Sequence, residues 1–367
     1  MVLESMKPLA GLRILDFSLF LPGPYATSML AAFGAEVIKI EPPGGDPVRR
    51  MNPVVFDLLN RGKRSVCVDW RDAQGRAALQ AMAQGCDALV EGFRPHTLTR
   101  VGLGPEQLRT QHPPLVYTSI SGFGWSGPEQ DRAAHDLNFL ALAGYFAVPS
   151  QLEQHPVRPH VRLADLVAGQ TAAMATVMAL MQAQRTGQGC HVDSSIYDAV
   201  THWTAPMLLG TQHAKQPEHM AHIMADSALY ATADGQWLSF GTLEDKFWQN
   251  FVNAVKDVAP ALDAEQFAHR MGRDLHKRAL ADALTQAIAS RPMTFWLQRL
   301  NGVDTAIAPV LDTTAALQHP QLQARGFVST GQEPQLRFPV QFNGHTLADL
   351  PCAPSLGQDN DLLETLA

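Results

Sequence analysis

Charge is scarce in this chain. Only 17% of its 367 residues are Asp, Glu, Lys or Arg, and the net charge is -7. A mildly acidic chain argues against the broad basic face that phosphate backbones require, and so against nucleic acid as the main partner, while leaving room for one local basic pocket. Long apolar runs are missing as well. No uninterrupted run reaches the roughly 18 residues needed to cross a bilayer, so no membrane partner is expected. The opening segment, Met1 to Gly11, lacks the basic stretch and apolar core of a secretory signal. Cysteine is rare and scattered: Cys67, Cys86, Cys190 and Cys352 form no CxxC pair. That spacing points to neither zinc nor redox chemistry, and reads as reduced, mostly buried thiols of a cytoplasmic protein.

The glycine motifs that cradle phosphates are absent too. No G-x-G-x-x-G lies between Phe17 and Gly23, and no G-x-x-x-x-G-K-[ST] occurs, which excludes the usual dinucleotide and P-loop chemistries. Ser194-Ser195 lacks the flanking glycines of a nucleophile elbow. His219 and His222 form no H-E-x-x-H pair, and no metal site is expected.

What the chain has is hydrophobic mass, 46% of residues, in an alternating order. Leu12 to Phe17 reads as a buried strand, Tyr25 to Phe33 as a helix closed by Gly34, and Glu36 to Ile40 as the next strand. Strands at Ser65 to Val68, Cys86 to Val90 and Leu115 to Ile120 follow, with helices at Asp72 to Gln84 and Pro105 to Gln111. Such alternation predicts a doubly wound parallel sheet. Ligands of such sheets sit beyond the carboxyl ends of the strands. The functional edge is then Ser18–Pro24, Glu41–Arg50, Glu91–Pro95 and Ser121–Pro128. A long Ala-, Met- and Leu-rich helix spans Asp165 to Arg185, and a strand begins at Cys190. Residues 208–222 read as a linker, Ser227 to Phe240 as a hairpin turning at Asp234-Gly235, and Ala306 to Leu311 as a further strand. The Pro-rich tail from Phe338 is expected to pack back on the first domain.

Basic side chains gather on the functional edge: Arg49 and Arg50, Arg61, Lys63 and Arg64, and Arg94 and Arg100. Each alone suits a surface ion pair, while the group together suits a phosphorylated ligand. Two acid–base candidates stand out. His135-Asp136 follows the loop Gly122 to Pro128, and Asp165 opens a nearly uncharged helix. By local physics Asp165 reads as a helix cap.

Six segments in one order resemble the class III CoA-transferase (CaiB/BaiF) family. They begin with LAGLRILDFS after Pro8, EVIKIEPPGGDPVR after Ala35 and RGKRSVCVD after Asn60. They continue with VEGFRPHTLTRVGL after Leu89, ISGFGWSGP after Ser119 and ADLVAG after Leu163. The resemblance implies an α/β fold: a Rossmann-like parallel-sheet large domain plus a smaller α+β domain, in an interlocked, ring-like homodimer. The large domain would take residues 1–200, completed by the tail 325–367. A linker 201–225, a small domain 226–312 and a return linker 313–324 would complete the chain.

The resemblance also implies an acyl-CoA thioester as substrate, with coenzyme A as part of it and no metal or organic cofactor. In transferases of the family an Asp at the position of Asp165 attacks the thioester. In the α-methylacyl-CoA racemase branch the same Asp acts as a base, opposed by a His that a Glu supports. His135, in Ala134-His-Asp-Leu-Asn-Phe139, and Glu244, in Gly241-Thr-Leu-Glu-Asp-Lys-Phe-Trp248, match those positions. Arg100, Arg94, Lys63 and Arg64 are the expected contacts for the CoA moiety, and backbone N–H groups at the start of the Asp165 helix are expected donors to an enolate. Asp165-Leu-Val-Ala-Gly169 departs from the racemases' Asp-Phe-Gly-Gly-Gly towards the transferases. Val161 replaces a typical racemase Asn, and Pro42 an Arg that contacts CoA in some members.

Overall fold

The computed structural model describes residues 7–152, 156–329 and 335–365. The first six residues of the opening segment lie outside them. The chain separates into two compact units, one of residues 1–145, 158–204 and 320–367, the other of residues 146–157 and 205–319.

The first unit is built on six strands, β1 Arg13–Asp16, β2 Glu36–Glu41, β3 Arg64–Cys67, β4 Ala88–Glu91, β5 Val116–Ser121 and β6 His191–Ser195. They lie in the order β3-β2-β1-β4-β5-β6, every neighbouring pair parallel. This is the expected α/β fold with a parallel sheet. Continuous burial explains the apolar strand runs, since helices cover both faces of a parallel sheet: Ile14, Leu15, Val37, Ile38, Val66, Ala88, Leu89 and Val116 are fully buried. The strand order reverses between β1 and β4, so a crevice opens beyond Asp16 and Glu91.

Most helices fall where the sequence puts them. Pro22–Ala32 begins on two prolines, which lose nothing at a helix start, and Ala73–Gln84 is capped by Asp72, whose carboxylate accepts from the Gln74 and Gly75 N–H groups. Others were not read. Pro53–Asn60 forms on an Asn52 cap, and Ile196–Thr211 is a helix through its internal Pro206, covering the start of the expected linker. The tail lies along β3: the Ser65 N–H donates to Asp359 Oδ2 at 2.9 Å, and the Cys67 N–H to Asn360 Oδ1 at 2.7 Å.

The helix Leu163–Thr186 is long and apolar enough to cross a membrane by length and composition, a test that the buried core helix of an α/β unit also passes. In this unit it packs on the helix Pro22–Ala32 and on β5 and β6, with Ala164, Ala168 and Ala172 buried. Small side chains are what let two helices approach closely, so its composition has a packing cause.

The second unit holds an antiparallel sheet, β7 Leu229–Ala231, β8 Trp237–Phe240 and β9 Ile307–Pro309, in the order β7-β8-β9. Its turn is at Asp234-Gly235, as expected from the sequence, with Gly235 at φ +75°. The helices Asp245–Val255, Lys277–Ala289 and Met293–Arg299 bury Trp248, Phe251, Leu280, Leu284, Ile288 and Trp296 in one core.

Candidate active site

A single glycine seats Asp165 at the crevice. Gly169 lies one turn along the same helix, and a Cβ there would stand 2.5 Å from the Pro22 carbonyl oxygen. Only glycine lets the helix close on the turn after β1. Asp165 therefore sits about 6 Å along the helix axis from that contact, at the carboxyl edge of the sheet.

The loop after β5 seats His135 in the same way. Phe123 packs on Phe139 with ring centroids 5.3 Å apart, and Phe139 belongs to the helix Asp136–Leu142. His135 is the residue before that helix, in extended backbone at φ -130°, ψ 171°, and its N–H donates to Asn138 Oδ1 at 3.0 Å. Its imidazole is exposed.

Asp136 joins the two helices. It is buried, and its Oδ1 accepts from the Ala164 N–H at 2.8 Å and from the Asp165 N–H at 3.4 Å. A carboxylate at a helix N-terminus satisfies orphan donors and complements the helix dipole. So Asp136, not Asp165, caps the Asp165 helix. The structure thereby gathers His135, Asp136 and Asp165 at one junction. Sequence reading paired Asp136 with His135 but gave it no role. The signal was a buried-type acid at the first position of an apolar helix.

This arrangement also revises the expected enolate donors. The Ala164 N–H is fully engaged. The Asp165 N–H, at 3.4 Å, is outside the usual range for a good hydrogen bond and is only loosely held.

Asp165 is half-buried, and its carboxyl is pushed up to about 7. Burial is the main cause, the neighbouring Asp136 charge adds to it, and Arg162 opposes both. A carboxylic acid that titrates near neutrality can act as base, acid or nucleophile.

The basic candidates divide. Arg94 and Arg100 are exposed around the turn after β4, and neither has an ion-pair partner among the described residues. The backbone ties them to one turn: the Thr97 N–H donates to Arg94 O, and the Arg100 N–H to His96 O, each at 3.1 Å. Arg64 is a correction: it is exposed, but it opens β3 and pairs at 3.1 Å with Glu36, which opens β2, so its guanidinium turns to the amino edge of the sheet and not to the crevice.

Lys63 is a correction. It is buried, and its Nζ donates to Asp16 Oδ2 at 2.9 Å, Thr27 Oγ1 at 2.7 Å, Asn60 Oδ1 at 3.0 Å and Pro24 O at 3.1 Å. An ammonium has three protons, and these acceptors take all of them. It anchors the turn after β1 from beneath rather than reaching a ligand. Lys39 pairs with Asp46 at 3.1 Å, and Glu41 takes a two-pronged contact from Arg49, in the same buried layer.

Glu244 belongs to the second unit. It precedes the helix Asp245–Val255 at φ -78°, ψ 138°, and its exposed carboxylate does not cap that helix.

Among the described residues no cluster of His, Cys, Asp or Glu could hold a metal ion.

Comparison with known proteins places this arrangement. Residues 9–360 match the model of CoA-transferase family III. The chain is 35% identical to a succinyl-CoA–D-citramalate CoA-transferase of Chloroflexus aurantiacus, over 76% of this chain and 72% of the relative. It is 30% identical to an α-methylacyl-CoA racemase of Mus musculus, over 96% and 89%. A solved CaiB/BaiF family protein from Brucella suis superposes with a TM-score of 0.87 at 27% identity, covering 99% of this chain and all of that one. Racemases and CoA-transferases thus both stand among its relatives, and the chain belongs to CoA-transferase family III, the CaiB/BaiF family.

Proposed function

We propose that this protein is an acyl-CoA racemase or epimerase that inverts the α-centre of a 2-methylacyl-CoA thioester. The observation that carries the reading is the junction of His135 and Asp165 through Asp136. Inversion needs one group to take the α-proton and a second to return a proton to the opposite face. In this reading His135 and Asp165 are those two groups. The electron pair of the broken C–H bond moves onto the thioester oxygen as an enolate. Returning a proton to the α-carbon restores the thioester with the opposite hand. Glu244 supports the His135 imidazolium, from the same chain or from the partner. Arg94 and Arg100 hold the CoA moiety. No metal or organic cofactor enters the reaction.

The domain layout follows the same reading. A large domain of residues 1–200 and 325–367, a small domain of residues 226–312 and linkers 201–225 and 313–324 would form a ring threaded by a second copy.

The second reading is a CoA-transferase. The Chloroflexus aurantiacus relative, which is named for that activity, favours it. Asp165 would attack the thioester carbonyl and expel CoA thiolate, leaving a mixed anhydride. The thiolate would then attack the Asp165 acyl carbon and release the free acid, giving an aspartyl-CoA thioester that passes CoA to another carboxylate.

One assay separates the two. Purified protein is incubated with a 2-methylacyl-CoA in deuterated water, with and without a free carboxylic acid. Deuterium entering the α-position without an acceptor acid supports the racemase. No exchange, together with CoA transfer to the acid, overturns it.

A further inference from the structure

We propose that Arg273 is a positioning residue that fixes the Glu244 carboxylate for its partner in the reaction; this rests on the racemase reading of Glu244. The residues on either side of Glu244 are tied down, while Glu244 is not. Arg273 Nη2 donates to Leu243 O at 2.8 Å, and its Nη1 donates to Asp245 Oδ1 at 3.0 Å. One guanidinium therefore grips the backbone before Glu244 and the side chain after it.

The guanidinium is itself immobile. Its side chain is fully buried, lies over the Trp248 ring at 5.4 Å, and donates from Nε to Asp226 Oδ2 at 2.6 Å. Asp226 is buried and takes a second cation, Arg270, at 3.0 Å. The Asp226 carbonyl oxygen accepts from the Thr242 N–H at 2.9 Å, and the Gly241 N–H donates to Ala306 O at 2.8 Å. Asp245 Oδ1 accepts again from the Arg270 N–H at 2.7 Å, and Asp245 Oδ2 meets His269 at 3.1 Å.

Residues 241–243 and 245 are thus held from several sides. The Glu244 carboxylate makes no hydrogen bond among the described residues, and it leaves the N-terminus of its own helix uncapped. Exposed and without a partner among the described residues, that carboxylate is free to take one from outside this unit's frame. A rigid frame around one unengaged carboxylate is how a fold presents an acid to a partner at fixed aim. A misplacement of about 1 Å costs on the order of 100-fold in rate.

The test uses the full chain and reads α-proton exchange of a 2-methylacyl-CoA into deuterated water, with thermal unfolding followed in parallel. Lysine cannot reproduce a planar fork that spans two acceptors. Arg273→Lys is expected to lower kcat by about 10- to 100-fold with KM within about twofold of wild type. Glu244→Gln is expected to fall at least as far, and the double variant no further than Glu244→Gln alone, because both changes remove one function. Should Arg273→Lys fail to fold, Asp245→Ala loosens the same clamp from its more exposed side and is expected to give the same split. If Glu244→Gln is impaired while the clamp variants keep wild-type kcat, or if the double variant multiplies the two losses, the inference is overturned and the racemase reading stands. If Glu244→Gln itself exchanges normally, the role of Glu244 falls, and this inference with it.

Discussion

Two aspartates of the first unit stand at the same edge of the same sheet with opposite electrostatics. Asp16 ends β1 and is fully buried. Burial alone would raise its carboxyl. The charges of Lys63 and Lys39 and the hydroxyls of Ser18 and Thr27 outweigh burial and hold it well below the usual carboxylate range. Asp165 is less buried, yet its carboxyl is pushed up to about 7. Burial and the Asp136 charge act together there, and only Arg162 opposes them. One carboxylate is neutralised on every side and the other is left wanting a proton. The difference lies in the partners, not in the depth. A satisfied charge builds the fold, and an unsatisfied one at a crevice is poised for chemistry.

The comparison breaks first on Asp165→Asn. An amide keeps the shape but loses both basicity and nucleophilicity, so inversion of the α-centre and CoA transfer are both expected to fall by at least about 10³-fold. Stability is expected to move the other way. The folded value of Asp165 lies above that of an unfolded Asp, about 3.9. Ionisation therefore subtracts stability as pH rises from about 4 to about 7. Asp165→Asn is expected to melt above wild type at pH 8 and level with it near pH 4, read by thermal unfolding at the two pH values. A loss of stability at pH 8 would mean that the Asp165 charge is neutralised after all.

Asp16→Asn is the mirror experiment. It leaves the buried Lys63 ammonium without its countercharge, and breaking such a pair costs about 3–5 kcal/mol. The folded value of Asp16 is depressed, so its contribution is present above about pH 4 and is lost as pH falls below that. Urea unfolding at pH 7 is expected to show the full loss. Removing both charges with Asp16→Asn and Lys63→Met is expected to cost less than either change alone. An additive double loss would show that the two residues act separately.

What was legible in the sequence follows the same division. β1 to β5 and the hairpin at Asp234-Gly235 were readable because apolar runs and turn residues are local signals. The helix Ile196–Thr211 was not, because Pro206 interrupts it and a polar stretch begins at Gln212, just past its end. Asp165 was readable as a candidate site only through resemblance, since locally it resembles a cap. The residue that does the capping, Asp136, lies 29 positions upstream. Lys63 was misplaced for a similar reason. A lysine at a strand entry looks solvated until Asp16, 47 residues earlier, is seen to close over it. Long-range neutralisation leaves no periodic trace in a sequence.

Asp136→Asn sharpens the contrast by a smaller step. The amide oxygen can still accept from the Ala164 N–H, but the like charge beside Asp165 is gone. CoA transfer, and inversion in the direction in which Asp165 takes the α-proton, need an ionised Asp165, so kcat/KM for that acid or enantiomer is expected to fall about tenfold per pH unit below about 7. In Asp136→Asn that limb is expected to move to lower pH, because one of the causes that raise Asp165 is removed. A pH–rate profile of exchange measures it. A limb that stays in place would leave burial as the whole cause.

The smallest expected effect extends the contrast to cations. Lys63 is saturated by four acceptors, whereas Arg94 and Arg100 carry exposed guanidinium groups with no ion-pair partner among the described residues. If neutralised charges build the fold and open ones meet ligands, Arg100→Gln and Arg94→Gln should leave thermal unfolding unchanged. Each exposed pair with a phosphate is worth on the order of 1 kcal/mol, so each variant is expected to raise KM for the thioester about three- to tenfold with kcat preserved. The wild-type KM should itself rise with salt, and the variants less so, since screening weakens only contacts that are present. A KM that ignores both substitutions and salt would move the CoA phosphates away from the turn after β4.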